Sequence, residues 1–155
     1  MSQIMNVRDT ISGSQGECYI TIAGRRYNFM TVISIDATIE KSKEEVAILG
    51  KTGKANKSVG WKGSGSMTFY YNTSIFREAM LKFKDTGEDF YFDIQITNAD
   101  LSSSVGRQTV ILKDCNSDSI TMAKLDADAA LLDEDMDFTF DDCEMPEKFN
   151  AIAGM

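Results

Sequence analysis

Residues 50–52, Gly50-Lys51-Thr52, read like the end of a phosphate-binding loop. Such a loop needs a glycine five positions earlier, so that backbone N–H groups can wrap the phosphates. That position is Glu45, which brings a side chain and a negative charge. A second candidate, Gly53-Lys54, is followed by Ala55 where a magnesium-binding hydroxyl is required. Nucleotide chemistry is not expected. The spacing Asp133-x-Asp135-x-Asp137 is similar to a calcium loop, but position 6 is Phe138 instead of glycine. The acids alternate with apolar residues, as a strand does. Histidine is absent, which removes the commonest general base and metal ligand and makes a Ser-His-Asp or Cys-His site impossible within the chain. Cys115 could be a lysine-activated nucleophile, but a buried or half-buried place at a strand end is the expected role of a free cysteine. No cofactor, metal or catalytic residue is expected.

The elements that carry these residues follow from periodicity. From Tyr27 to Glu40, Tyr27, Phe29, Ile33 and Ile35 alternate with Asn28, Ser34, Asp36 and Thr38, a period of two over twice a typical strand. Trp61 to Tyr71 repeats it: Trp61, Gly63, Gly65, Met67 and Phe69 on one face, Lys62, Ser64, Ser66 and Thr68 on the other. Glu17 to Ile22 reads as a strand turning at residues 23–26 into the first long one. Asp89 to Thr97 is a strand with Phe90, Phe92, Ile94 and Ile96 on one face. Gln108 to Lys113 and Ser119 to Leu125 read as a hairpin around residues 114–117. Met136, Phe138 and Phe140 mark a last strand. One helix is expected: Ser74 as N-cap, an apolar stripe of Ile75, Phe76, Ala79, Met80 and Phe83, Lys82 and Lys84 in the last turn, and Gly87 as terminator. The fold class is α+β, a mostly antiparallel sandwich or partial barrel with one packed helix.

Bulk properties bound the function. A chain of 155 residues is most simply one domain and can bury about 70% of its extended surface. A net charge of −8 argues against specific nucleic-acid binding. Three cysteines without metal-like spacing suggest free thiols in a reducing cytoplasm. No signal-like leader and no run of about 18 apolar residues is present, so direct membrane insertion is not expected. The charge is uneven. Residues 46–77 hold no acid, while Lys51, Lys54, Lys57, Lys62 and Arg77 are present; residues 126–144 hold nine acids and no base. Blocks like these are often simply solvated. The sharper reading is head-to-tail complementarity between copies, which builds rings or filaments.

The run VGWKGSGSMTFYYNTSIFREAMLKF, Val59 to Phe83, and the run RDTISGSQGECYITIAGRRYNF, Arg8 to Phe29, resemble the tail tube proteins of PBSX-like defective prophages, contractile phages and R-type bacteriocins. The resemblance covers nearly the whole chain and is loose after Asp100. It implies a single tail-tube domain, residues 1–155, in hexameric rings stacked into a hollow tube, with each subunit giving strands to a continuous inner β-barrel. The implied partners are other copies of the chain, a surrounding sheath protein, and baseplate and tail-terminator proteins. The implied location is the particle tail, assembled in the bacterial cytoplasm and released on lysis. Residues 41–60 are the candidate for an extended loop reaching the next ring, with Val46, Ile48, Leu49, Lys51, Lys54 and Lys57 at the contact. Asn28, Ser34, Asp36, Thr38, Ser64, Ser66 and Thr68 are expected to face the lumen, opposite Ile33, Ile35, Met67 and Phe69. The competing expectation is a monomeric β-barrel module with an apolar ligand pocket.

Overall fold

The computed structural model describes residues 4–155. After a 3-10 turn at Val7–Asp9, capped by Asn6, come β1 (Gly16–Ile22), β2 (Arg25–Asn28), β3 (Val32–Ala47) and β4 (Lys54–Tyr70). Helix α1 (Ile75–Thr86) precedes β5 (Phe92–Ala99), β6 (Arg107–Ser117), β7 (Asp133–Phe140) and β8 (Asp142–Glu147). The strand order is β2-β1-β5-β6-β7-β4-β3, antiparallel throughout, with β8 on β6. The fold is therefore the expected α+β class, mostly antiparallel with one helix.

Two layers meet over an aromatic core. Cys18, Ile20, Ile22, Phe92, Ile94 and Leu112 face inward from β1, β5 and β6; Met67, Phe69, Met136, Phe138 and Phe140 face them from β4 and β7. Phe92 and Phe138 join the layers edge to face at 6.4 Å, and Phe76 of α1 meets Phe92 at 5.3 Å and Phe69 at 5.9 Å. Each fully buried aromatic of this kind stabilises the fold by roughly 1.5–3 kcal/mol. The helix ends as expected, with Gly87 left-handed (φ 74°) and its N–H donating to Phe83 O, although Ser74 makes no side-chain cap.

Three strand expectations need correction. Residues 27–40 do not form one strand. The chain turns at residues 29–31, where Phe29 N–H donates to Cys18 O and Val32 N–H to Phe29 O, and the Phe29 ring drops into the core. β2 and β3 thereby belong to different sheets, a corner that alternation alone conceals. Ile33 is also misplaced: β3 bulges between Val32, opposite Phe69, and Ser34, opposite Thr68. The extra residue resets the phase, so Ile33 is 49% exposed and Val32 takes the inward place. Residues 114–117 are not a hairpin turn. β6 runs through them with a kink at Asp114 (φ 53°), and residues 119–125 form no strand. The kink lets β6 pair with β5 up to Cys115 and then place Asn116 and Ser117 against β7.

Candidate functional site

The 41–60 segment, expected as a loop, is instead an antiparallel ribbon. β3 and β4 stay paired from Glu40↔Lys62 through Glu44↔Lys57 to Ala47↔Lys54, with a tight turn over residues 48–53. Lys51 N–H donates to Ile48 O, and Gly50 supplies the positive φ (86°). The strand-favouring Val46, Val59 and Trp61 are scattered among glycines, lysines and other residues of low β-propensity, which hid the ribbon in the sequence. Lys51 and Thr52 therefore sit on a strand-to-strand turn.

Beyond Ile39 the ribbon leaves the body of the subunit, with the Trp61 ring at its base 6.5 Å from that of Phe140. From residue 40 to 62 every residue is exposed except the half-buried Ala55. Val46, Ile48, Leu49, Val59 and Trp61 are all solvent-facing, Leu49 completely. A two-stranded ribbon without a packed face is marginal in water. Lys51, Lys54 and Lys57 lie at or near the tip, but not in an acid-free setting. Lys54 Nζ lies 3.6 Å from Glu45 Oε2, Lys62 Nζ lies 3.8 Å from Glu40 Oε2, and Lys57 stands opposite Glu44. Six lysines against three glutamates still leave residues 40–62 net positive.

At the other end of the same strands lies a polar face. Side chains two apart share a face of a strand, and the register sets three rows across β3, β4 and β7: Ser34, Thr68 and Asp135; Asp36, Ser66 and Asp137; Thr38, Ser64 and Thr139. Thr68 Oγ1 donates to Asp135 Oδ1 at 2.6 Å. Six of the seven expected lumen residues thus share one face. Asn28 does not: it ends β2 opposite Tyr19 in the other sheet. The sequence reading missed Asp135, Asp137 and Thr139, although the alternation with Met136, Phe138 and Phe140 marks them as the outward set. Among the described residues these three rows carry three carboxylates and no base.

The reverse side explains the glycines. Ala37, Gly65 and Phe138 form one row, Ile39, Gly63 and Phe140 the next. The Phe138 and Phe140 rings lie directly over Gly65 and Gly63; a Cβ on Gly65 would stand 2.5 Å from Phe138 Cζ and 2.6 Å from Asp36 O. Only glycine fits beneath these rings.

One acid on β7 faces inward. Glu134, whose side chain is 2% exposed, accepts from Arg77 Nη1 at 2.7 Å. Arg77 also donates to Thr121 O and Thr73 O and stacks over Tyr71 at 4.3 Å. This pair clamps α1 to the sheet, and it joins the basic and acidic blocks within one chain. Glu134 shares the parity of Met136 and Phe138, the signal that would have found it. Cys115 is fully buried, and burial pushes its thiol and that of Cys18 up to about 12. Both stay protonated near neutral pH, the state of a packing residue.

A family model described as phage tail tube protein matches residues 3–147. The phage-like element PBSX protein XkdM of Bacillus subtilis (strain 168) is 36% identical over 146 residues, covering 94% of this chain and 97% of the relative. A solved protein from Bacillus subtilis, also 36% identical, superposes with a TM-score of 0.53 over 92% of this chain and 99% of its own. A chain of the sheath–tube complex of an extracellular contractile injection system, in its extended state, superposes with a TM-score of 0.64 at 12% identity, covering 90% and 93%. At that identity the last match speaks for the fold alone.

Proposed function

The chain belongs to the phage tail tube protein family, and on that basis we propose that it forms hexameric rings stacking into the inner tube of a contractile tail. The tail-tube role is structural. The finer reading, in which the chain does no catalysis and sits within a sheath between baseplate and terminator proteins, is the proposal. Assembly in the bacterial cytoplasm and release on lysis belong to the same reading.

One observation carries it. Among the described residues β3 is an edge strand of 16 residues with β4 on one side and no strand on the other, and its outer half is solvated on both faces. An edge of that length invites pairing with another chain. Closing it against neighbours around a ring removes the edge, as a barrel does. The face of Ser34, Asp36, Thr38, Ser64, Ser66, Thr68, Asp135 and Asp137 then lines the lumen, opposite the face that packs on the core. Its carboxylates repel a polyanion passing within a screening length of about 8–10 Å. The ribbon tip, with Val46, Ile48, Leu49, Lys51, Lys54 and Lys57, reaches the adjacent ring. Most of the cohesion comes from apolar contact, because exposed ion pairs contribute at most about 1 kcal/mol each.

Electron microscopy of concentrated protein tests the reading. Rings and hollow tubes are the expected result. Sedimentation as a monomer at every concentration, with sheath and baseplate proteins supplied, would end it.

A further inference from the structure

We propose that the ribbon tip of one copy seats in a cleft at the opposite end of β3 on a second copy, with Leu49 entering beside Ile33 and Phe29. The inference rests on the ring-stacking reading above and names the surface that receives the arm. The cleft, of about 710 Å3, opens where the two sheets part, between residues 13–18, residues 28–35 and residues 96–98. Phe29, Ile33, Ile35 and Ile96 give it an apolar wall. Met30 and Ile33 stand exposed at its mouth.

Three observations select a second copy's tip as the occupant. The first is placement. Ile33 and Ile35 lie at the start of β3 and Val46 at its end, so cleft and tip are separated by the strand's length, about 50 Å at ~3.3 Å per residue. A contact that propagates in one direction needs two different patches at opposite ends of the subunit, and the two ends of β3 supply them. The second is charge. Among the described residues Glu17 is the single charged one lining the cleft, and no base lines it. The tip brings Lys51 and Lys54, so approach is favourable and tip-to-tip contact is not. The third is the backbone. On the β2 side, β1 is paired only from Tyr19↔Asn28 onward, followed by Phe29 N–H donating to Cys18 O. Among the described residues no strand covers Gly16 and Glu17 on that side, which leaves an open edge for an extended segment. Leu49, fully exposed on its own turn, contributes nothing to its own subunit's core.

Cysteine trapping in assembled tubes tests this. The background carries Cys18→Ala and Cys143→Ser, leaving the fully buried Cys115. Leu49→Cys and Ile33→Cys variants are mixed, assembled and oxidised. A disulfide-linked dimer is expected from the mixture and from neither variant alone. Leu49→Cys mixed with Met122→Cys, exposed outside the cleft, is expected to give none. Ile33→Asp is expected to stop tube growth as Leu49→Asp does, with both monomers unfolding at the wild-type temperature, because each site is exposed. Tubes that form without the Leu49–Ile33 disulfide overturn the cleft while leaving ring stacking intact. Full-length tubes from Leu49→Asp overturn the role of the arm and the cleft with it. A wild-type chain that makes neither rings nor tubes overturns both readings.

Discussion

β3 and β4 are each two different strands in physical terms. From Val32 to Ile39 and from Gly63 to Tyr70, the pair has β7 beside it and the aromatic core beneath it. From Glu40 to Ala47 and from Lys54 to Lys62, the same pairing continues with water on both faces. The two strands stay paired along the whole length. What differs is the third strand and the packed face, which are what make a sheet stable on its own. The inner half is explained by this chain. The outer half finds no such support among the described residues of this chain, which is why the proposed assembly assigns it to a second copy.

The contrast can be broken most severely in the core. Phe138 has no exposed surface and joins both sheets. Phe138→Ala should cost about 3–5 kcal/mol through lost transfer energy and a cavity, read as a lower urea midpoint. Leu49→Ala should leave that midpoint unchanged, within about 0.5 kcal/mol, while slowing tube growth without abolishing it. If Leu49→Ala destabilised the monomer as Phe138→Ala does, the division between the two halves would be wrong.

A somewhat smaller effect is expected at the helix clamp. Glu134→Gln should cost about 3 kcal/mol, because it leaves Arg77 without its carboxylate in a place only 13% exposed. Replacing both partners together, Arg77→Met with Glu134→Leu, should recover most of the loss, since a packed apolar pair avoids desolvating two charges. Thermal unfolding of the two variants decides it; a double variant that loses as much as Glu134→Gln would show that the pair is not a coupled unit.

Glycines sharpen the comparison on a smaller scale. Gly65 lies under Phe138 and against Asp36 O, while a Cβ added to Gly60, in the ribbon, would meet nothing within 4 Å. Gly65→Ala should cost about 1–3 kcal/mol by overpacking. Gly60→Ala should be neutral or slightly stabilising, as a restriction of the unfolded chain. Equal effects at both sites, measured by denaturant unfolding, would contradict the two-half description.

The same physics decides what could be read from the sequence. Alternation located β1, most of β4, β5 and β7, and the stripe of Phe76, Ala79 and Met80 located α1, because one-sided burial leaves a periodic trace. The corner at Phe29 and the bulge at Ile33 left none, since a chain that changes sheets can keep alternating. The kink at Asp114 looked like a turn because turn residues also serve a strand that switches partners. The polar set Ser34, Asp36, Thr38, Ser64, Ser66 and Thr68 was legible as one face. Its continuation onto Asp135 and Asp137 required the pairing of β4 with β7, a long-range fact. The ribbon read as a loop because its glycines and lysines carry no burial signal in a lone chain.

The smallest effect on the subunit is expected at the lysines. Lys51, Lys54 and Lys57 are exposed, and the Lys54–Glu45 pair at 3.6 Å is solvated on both sides. Exposed pairs of this kind contribute about 0–1 kcal/mol, so changing all three lysines to glutamate should move the monomer's unfolding only slightly. Assembly should respond more. The substitution places new carboxylates beside Glu44 and Glu45, and it turns a tip attracted to acidic neighbours into one repelled by them. Charges at a contact rim act chiefly on encounter rate, so tube growth followed by light scattering should slow at low salt. Raising the ionic strength shortens the screening length from about 10 Å at 0.1 M to about 3 Å at 1 M and should restore part of the rate. Recovery cannot be complete, because the apolar tip residues Val46, Ile48 and Leu49 hold the contact once formed but do not guide it. Normal growth of the triple variant in low salt would mean that the ribbon docks by apolar contact alone and that its lysines serve only to keep an unpaired edge from aggregating.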